Sequence, residues 1–198
     1  MSAISGEEAA NKLVPVRHLP NLICLVRIAL VWPIATALAA EEHFTALALF
    51  MVAGLSDGVD GYLAKRFNWT SDLGKVLDPL ADKLLLVTVF VEGAWLALIP
   101  WWLSAAVVAR DVLIGLGALV YRVWFGPLRG RPTVLSKINT AMQLLYLLVI
   151  MVNAALSFPP HEVLDALGFI VLTTTLVSGV NYVAEFTRRA WSQTAEAS

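Results

Sequence analysis

Charge is scarce in this chain. Only 15% of its 198 residues are charged, where soluble domains carry about 25%, and the mean hydropathy is +0.74. That deficit excludes an ordinary water-soluble domain and predicts a polytopic membrane protein, a single domain over residues 1–198. Cysteine occurs once, at Cys24, which excludes an intramolecular disulfide and a cysteine-based metal centre. Histidine is almost as rare. His18, His43 and His161 lie far apart, at no metal-ligand spacing, and read as interfacial polar residues. There is no Ser-His-Asp arrangement, Gly-rich phosphate loop or nucleic-acid motif, and a net charge of −1 implies no nucleic-acid partner. The polar, acidic stretch from Met1 to Asn11 has neither the make-up of a cleavable signal peptide nor the Arg-rich, acid-poor make-up of a transit segment.

Long apolar stretches fill most of what remains. A span needs roughly 20 apolar residues, and six stretches qualify, near 21–40, 44–64, 77–98, 101–124, 134–157 and 163–186. The expected fold is all-α, a bundle of six transmembrane helices. Residues 6–16 are expected to form a short interfacial helix. Lys and Arg fall on alternate connections. Lys12 and Arg17 precede the first stretch; Lys65, Arg66 and Lys75 follow the second; Arg122, Arg129, Arg131 and Lys137 flank the fourth-to-fifth connection; Arg188 and Arg189 follow the sixth. The connections at Glu41-Glu42, Pro100 and Pro159-Pro160 have neither Lys nor Arg. By the positive-inside rule both termini are then cytoplasmic. Trp69, Trp101, Trp102, Trp124 and Trp191 fall near the expected interfaces, as an aromatic belt does.

Against this background stand four aspartates in 26 residues: Asp57-x2-Asp60-Gly61-x2-Ala64-Lys65-x8-Gly74-x3-Asp78-x3-Asp82. Carboxylates are costly in hydrocarbon and usually line a polar site. On a helix Asp57, Asp60, Gly61 and Ala64 share one face, and so do Asp78 and Asp82. A short cytoplasmic turn brings the two faces together. Gly61 and Ala64 leave room for a ligand against the backbone. Four unpaired carboxylates repel one another, and a divalent cation removes that repulsion. Oxygen-only ligation favours Mg²⁺ or Mn²⁺. Two other readings compete. In one the acids are helix caps and salt bridges, with Asp78 capping the third helix ahead of Pro79 and Lys83 neutralising a carboxylate. In the other they form the path of a small cation or proton transporter.

The same run resembles the signature of the CDP-alcohol phosphatidyltransferase family, matching at Asp57, Asp60, Gly61, Ala64, Gly74, Asp78 and Asp82. It departs at Lys65, where the family has Arg; Lys lacks the bidentate fork. The resemblance implies transfer of the phosphatidyl group of CDP-diacylglycerol to an alcohol acceptor, with release of CMP. It implies Mg²⁺ or Mn²⁺ held by Asp57, Asp60 and Asp78, with Asp82 as general base and a possible further ligand. It implies that Gly61, Ala64, Lys65 and Gly74 line the CDP-lipid pocket. It also implies membrane-lipid substrates and a homodimer. The expected location is a bacterial inner membrane, and the placement of Lys and Arg turns the aspartate site toward the cytoplasm.

Acceptor choice rests on other polar residues. Arg110 lies inside the fourth stretch, followed by Asp111, and reads either as a contact for an anionic acceptor or as an internal ion pair. Arg129, Arg131 and Lys137 read either as acceptor-phosphate contacts or as plain positive-inside charge. Arg27, in the first stretch, either faces the cavity or snorkels to the interface. The segments Pro20-Asn21-x5-Arg27, Ala109-Arg110-Asp111 and Pro132-Thr133-x2-Ser136-Lys137-x-Asn139-Thr140 resemble two branches of the family. One has glycerol 3-phosphate as acceptor; the other has phosphatidylglycerol and forms cardiolipin. Arg110-Asp111 in place of Arg-Glu, and Asn139 in place of a second Lys, favour the phosphatidylglycerol branch.

Overall fold

The computed structural model describes residues 19–67, 74–125 and 133–196, with side chains described for 22–58, 79–120, 123 and 133–188. Among the described residues all regular structure is helical. The helices are α1 (Leu19–Ala39), α2 (His43–Phe67), α3 (Gly74–Trp95), α4 (Trp101–Phe125), α5 (Val134–Leu156) and α6 (His161–Glu196). Each covers one expected apolar stretch, and α6 runs ten residues past its expected end. The expected helix at 6–16 lies outside the described residues.

Among the described residues four helices contain segments long and apolar enough to cross a membrane: Leu22–Ala39, Trp101–Val120, Val134–Leu156 and His161–Arg188. In α2 the apolar segment is shorter, His43–Gly58. The physical reason is local. Helix α2 carries Asp57 and Asp60 in its second half, and α3 opens on Lys75, Asp78, Asp82 and Lys83. The aspartate motif itself lowers the hydropathy of the two helices that carry it.

Local chemistry marks the ends. Thr133 caps α5, its Oγ1 accepting from the Ser136 amide at 3.3 Å. Among the described residues three non-glycine residues take the left-handed conformation after a helix: Glu41 (φ 59°), Ala97 (φ 57°) and Ser157 (φ 55°). Each turn returns amides to the preceding helix, as Glu42 N–H does to Ala37 O at 2.8 Å and Leu98 N–H to Gly93 O at 2.9 Å. Asn153 Nδ2 donates to Pro159 O at 2.6 Å and closes the turn between α5 and α6.

The chain divides into two compact units, residues 1–88 and 89–198. In the first, α1 packs on α2. Ala46 and Ala53, seven residues apart on α2, are fully buried and let the backbones approach. Cys24, Ile34 and Leu38 of α1 complete that core. In the second, α6 packs against both α4 and α5. Phe90 stacks on Tyr146 with ring centroids 6.2 Å apart, and Ser104 Oγ donates to Phe90 O at 2.8 Å. Outward faces are apolar. Trp32 is 77% exposed and Val180 70%. A helix with apolar residues on its outer face is one that meets lipid.

Candidate functional site

The first unit places three helices so that their functional residues share one depth. Arg27 is eight residues from the start of α1, Asp82 eight from the start of α3, and Asp57 ten from the end of α2. At 1.5 Å per residue these are depths of about 12, 12 and 15 Å from the respective ends. The contact follows. Arg27 Nη1 lies 2.7 Å from Asp57 Oδ1 and 2.5 Å from Asp82 Oδ1. One guanidinium nitrogen therefore joins an acid of α2 to an acid of α3. Arg27 is 1% exposed, while the two carboxylates are 47% and 43% exposed. The arginine forms the floor of the site and the acids form its open side.

Snorkelling is thus overturned as the role of Arg27. The long side chain is buried against two carboxylates instead of reaching toward the interface. The available signal was its spacing: Arg27 sits as far into α1 as Asp82 sits into α3. The capping reading of Asp78 also fails at the backbone, because α3 begins four residues earlier, at Gly74. Helix α2 continues unbroken through Asp60, Gly61, Ala64 and Lys65, which meets the spacing condition of the shared-face reading. The side chains of Asp60, Lys65 and Asp78 lie outside the described residues, as do the surroundings of Gly61, Ala64 and Gly74.

The donor set suits a hard cation. Asp57 and Asp82 offer carboxylate oxygens brought to a common positive atom, with water access on one side. Among the described residues no group of three or more His, Cys, Asp or Glu side chains gathers as a metal centre. The two described acids fit such an ion as part of its shell, and the remaining ligands of the sequence motif are Asp60 and Asp78.

The second unit holds the residues read as acceptor contacts. Arg110 is 6% exposed and tied on three sides. Its Nη1 pairs with Asp111 Oδ1 at 2.7 Å, and its Nη2 donates to Ser136 Oγ at 2.8 Å and to Ser178 Oγ at 2.6 Å. It therefore links α4, α5 and α6, which is the internal-pair reading in geometric form. Lys137, next to Ser136 in the first turn of α5, is exposed. Arg129 and Arg131 lie outside the described residues. Asn139 is fully buried, and its Oδ1 accepts from Thr174 Oγ1 and Thr175 Oγ1, each at 2.9 Å. In the sequence Asn139 stands out only as the absence of a positive charge. Its partners sit 35 and 36 residues away, beyond any local signal. A cavity of about 430 Å³ also opens in this unit, lined in part by Tyr146, Asn153, His161 and Asp165. It contains none of the motif aspartates, so size alone does not make it the centre of chemistry.

Residues 17–180 match the family model described as CDP-alcohol phosphatidyltransferase. The chain is 34% identical over 186 residues to a human protein named cardiolipin synthase (CMP-forming), covering 83% of this chain and 60% of that one. It is 35% identical over 180 residues to a fission-yeast cardiolipin synthase (CMP-forming) / mitochondrial hydrolase fusion protein, covering 83% of this chain and 30% of that one. With a Streptomyces coelicolor cardiolipin synthase (CMP-forming) it shares 34% identity over 103 residues, 48% of this chain and 47% of the other. The chain thus spans at most 60% of the length of these relatives.

Proposed function

The chain belongs to the CDP-alcohol phosphatidyltransferase family, and from that premise we propose that it transfers the phosphatidyl group of CDP-diacylglycerol to an alcohol, releasing CMP. The proposed acceptor is phosphatidylglycerol, giving cardiolipin. The observation that carries the reading is the convergence of Asp57 and Asp82 from separate helices of the signature run. The names of the human and Streptomyces relatives support the acceptor.

In this reading Asp57, Asp60 and Asp78, with Asp82 as a further ligand, would hold Mg²⁺ or Mn²⁺, which when bound would neutralise charge on the pyrophosphate of the CDP-lipid. Asp82 takes the proton of the acceptor hydroxyl. That oxygen forms a bond to the lipid-side phosphorus while the bond from phosphorus to the CMP oxygen breaks. The outcome is a new phosphodiester, CMP and a proton. Positioning and charge neutralisation account for most of the acceleration in such transfers. The half-exposed carboxylates allow approach from solvent, and the buried Arg27 prevents the two acids from separating. Gly61, Ala64, Lys65 and Gly74 are the proposed CDP-lipid contacts. Lys137, with Arg129 and Arg131, supplies positive charge toward the acceptor, and Arg110 holds the first turn of α5, on which Lys137 stands. The proposed architecture is one domain with six spans and cytoplasmic termini, acting as a homodimer in a bacterial inner membrane. The alternation of basic connections supports that orientation.

The deciding experiment is CMP release by the purified chain with CDP-diacylglycerol and Mg²⁺ or Mn²⁺. Phosphatidylglycerol and glycerol 3-phosphate are supplied in separate reactions. Release with phosphatidylglycerol alone is expected. Release with glycerol 3-phosphate alone would move the chain to the other branch, and release with no alcohol tried would refute the transferase reading.

A further inference from the structure

We propose that Arg27 is a built-in counter-cation of the aspartate cluster, sharing Asp57 and Asp82 with the divalent ion and so setting the affinity for it. The inference rests on the reading of those two acids as part of the metal site. It goes beyond that reading by assigning a positioning residue from α1, outside the 57–82 motif.

Three observations carry it. First, Arg27 is 1% exposed and lies about 12 Å into α1, where a guanidinium is costly without anionic partners. Second, those partners include an acid from each of the two motif helices, and the same nitrogen, Nη1, faces both. A salt bridge that only fastened α1 to one neighbour would need a single acid. Third, the two carboxylates whose Oδ1 atoms face Nη1 are nearly half exposed as side chains, so each keeps open surface beside its contact with Arg27 for an ion to share.

Two opposing effects follow from that placement. The guanidinium holds the carboxylates together, which favours an ion needing both. It also puts a full positive charge within a few ångström of a doubly charged ion. The second effect wins on magnitude. Ordering two side chains is worth about one to two rotamer entropies, whereas charge repulsion at such separations stays large even at an effective dielectric constant near 20. Removing the charge should therefore tighten ion binding by at least about tenfold. The same removal leaves four motif carboxylates with less compensation, so the ion-free protein should unfold more readily. An arginine in this place keeps the site assembled and keeps the ion exchangeable.

The test is titration of purified full-length protein in detergent micelles with Mn²⁺ alone, free Mn²⁺ being read by its electron paramagnetic resonance. Thermal unfolding with and without saturating Mn²⁺ gives a second readout, and neither depends on turnover. The variants are Arg27→Met, Arg27→Lys and Asp57→Asn. Arg27→Met is expected to melt earlier without Mn²⁺, to bind Mn²⁺ at least about tenfold tighter, and to show a larger Mn²⁺-induced rise in melting temperature than wild type. Arg27→Lys, a shorter cation without the fork, is expected to fall between the two. Folded Arg27→Met with unchanged or weaker Mn²⁺ binding overturns the proposal. If Arg27→Met folds only with Mn²⁺ present, the proposal is supported. If it fails to fold with Mn²⁺ as well, Arg27→Lys decides, and binding equal to or weaker than wild type overturns it. Wild type with no Mn²⁺ binding sensitive to Asp57→Asn overturns the metal reading itself, a result distinct from failure of Arg27 alone.

Discussion

Replacing Arg110 by Met separates an internal tie from a ligand contact. Arg110 and Asp111 are both nearly dry, with side-chain exposures of 5% and 6%, and their charged atoms are 2.7 Å apart. Taking one partner from a buried pair costs about 3–5 kcal/mol, mostly because the other charge stays buried. The hydrogen bonds to Ser136 and Ser178 are lost too, and in membrane bundles each such bond averages about 0.6 kcal/mol. Asp111 has further interactions that remain, which favours the lower end of the range. The expected loss for Arg110→Met is therefore about 4 kcal/mol, measured by reversible unfolding in mixed micelles. The double variant Arg110→Met/Asp111→Leu replaces the pair by apolar groups of similar size, and it should recover most of the loss. A single variant within about 1 kcal/mol of wild type would refute the tie. A double variant less stable than the single one would also refute it, because the buried acid would then not be the source of the cost.

Other substitutions probe the remaining roles. Asp82→Asn keeps an acceptor oxygen for Arg27 and should retain the fold, while CMP release falls by about 10²–10⁴-fold; unchanged release would remove Asp82 from the base role. Lys137→Ala should raise KM for the acceptor with little change in KM for CDP-diacylglycerol, and an effect confined to the CDP-lipid would place the residue elsewhere. A Cβ at Gly117 would lie 3.1 Å from Tyr182 Cε1 and 3.3 Å from its hydroxyl oxygen. Tyr182 is held by its bond to Ile114 O at 3.1 Å, so Gly117→Ala should cost about 1–3 kcal/mol, and a neutral or stabilising result in the same unfolding assay would mean that Tyr182 yields freely.

The helices were legible because their signal is local. Apolar runs of sufficient length, broken at Glu41-Glu42, Pro100 and Pro159-Pro160, placed all six to within a few residues except at the end of α6. That helix continues because Thr187 to Glu196 is mostly polar and contains neither Gly nor Pro, so nothing there stops a helix even where the apolar pattern ends. The buried polar seam of the second unit was not legible. Asn139, Gln143, Thr175 and Ser178 look in sequence like scattered polar residues, and their complementarity depends on the rotation of α5 against α6. Hydrogen bonds between Gln143 and Thr175 and between Arg110 and Ser178 join residues 32 and 68 apart. No window along the chain contains both partners.

The aspartates and Arg27 differ in the same way, with a consequence for chemistry. Acids in apolar surroundings are conspicuous one residue at a time, since each is anomalous by itself. A single arginine eight residues into a first helix has an ordinary explanation, because its aliphatic stem can carry the charge to the interface. What removes that explanation is the contact of the buried Arg27 with both Asp57 and Asp82, each at a similar depth within its own helix. The positive charge therefore meets both acids without leaving its own depth, and the cost of burying it is offset by the acids whose repulsion it reduces. The same arrangement limits the chemistry. In the proposed reading a divalent ion shares the carboxylate pair with this fixed charge, whereas a proton or monovalent cation in transit would face a site partly filled by the protein itself. That is a physical ground for favouring a phosphoryl-transfer centre over a transport path.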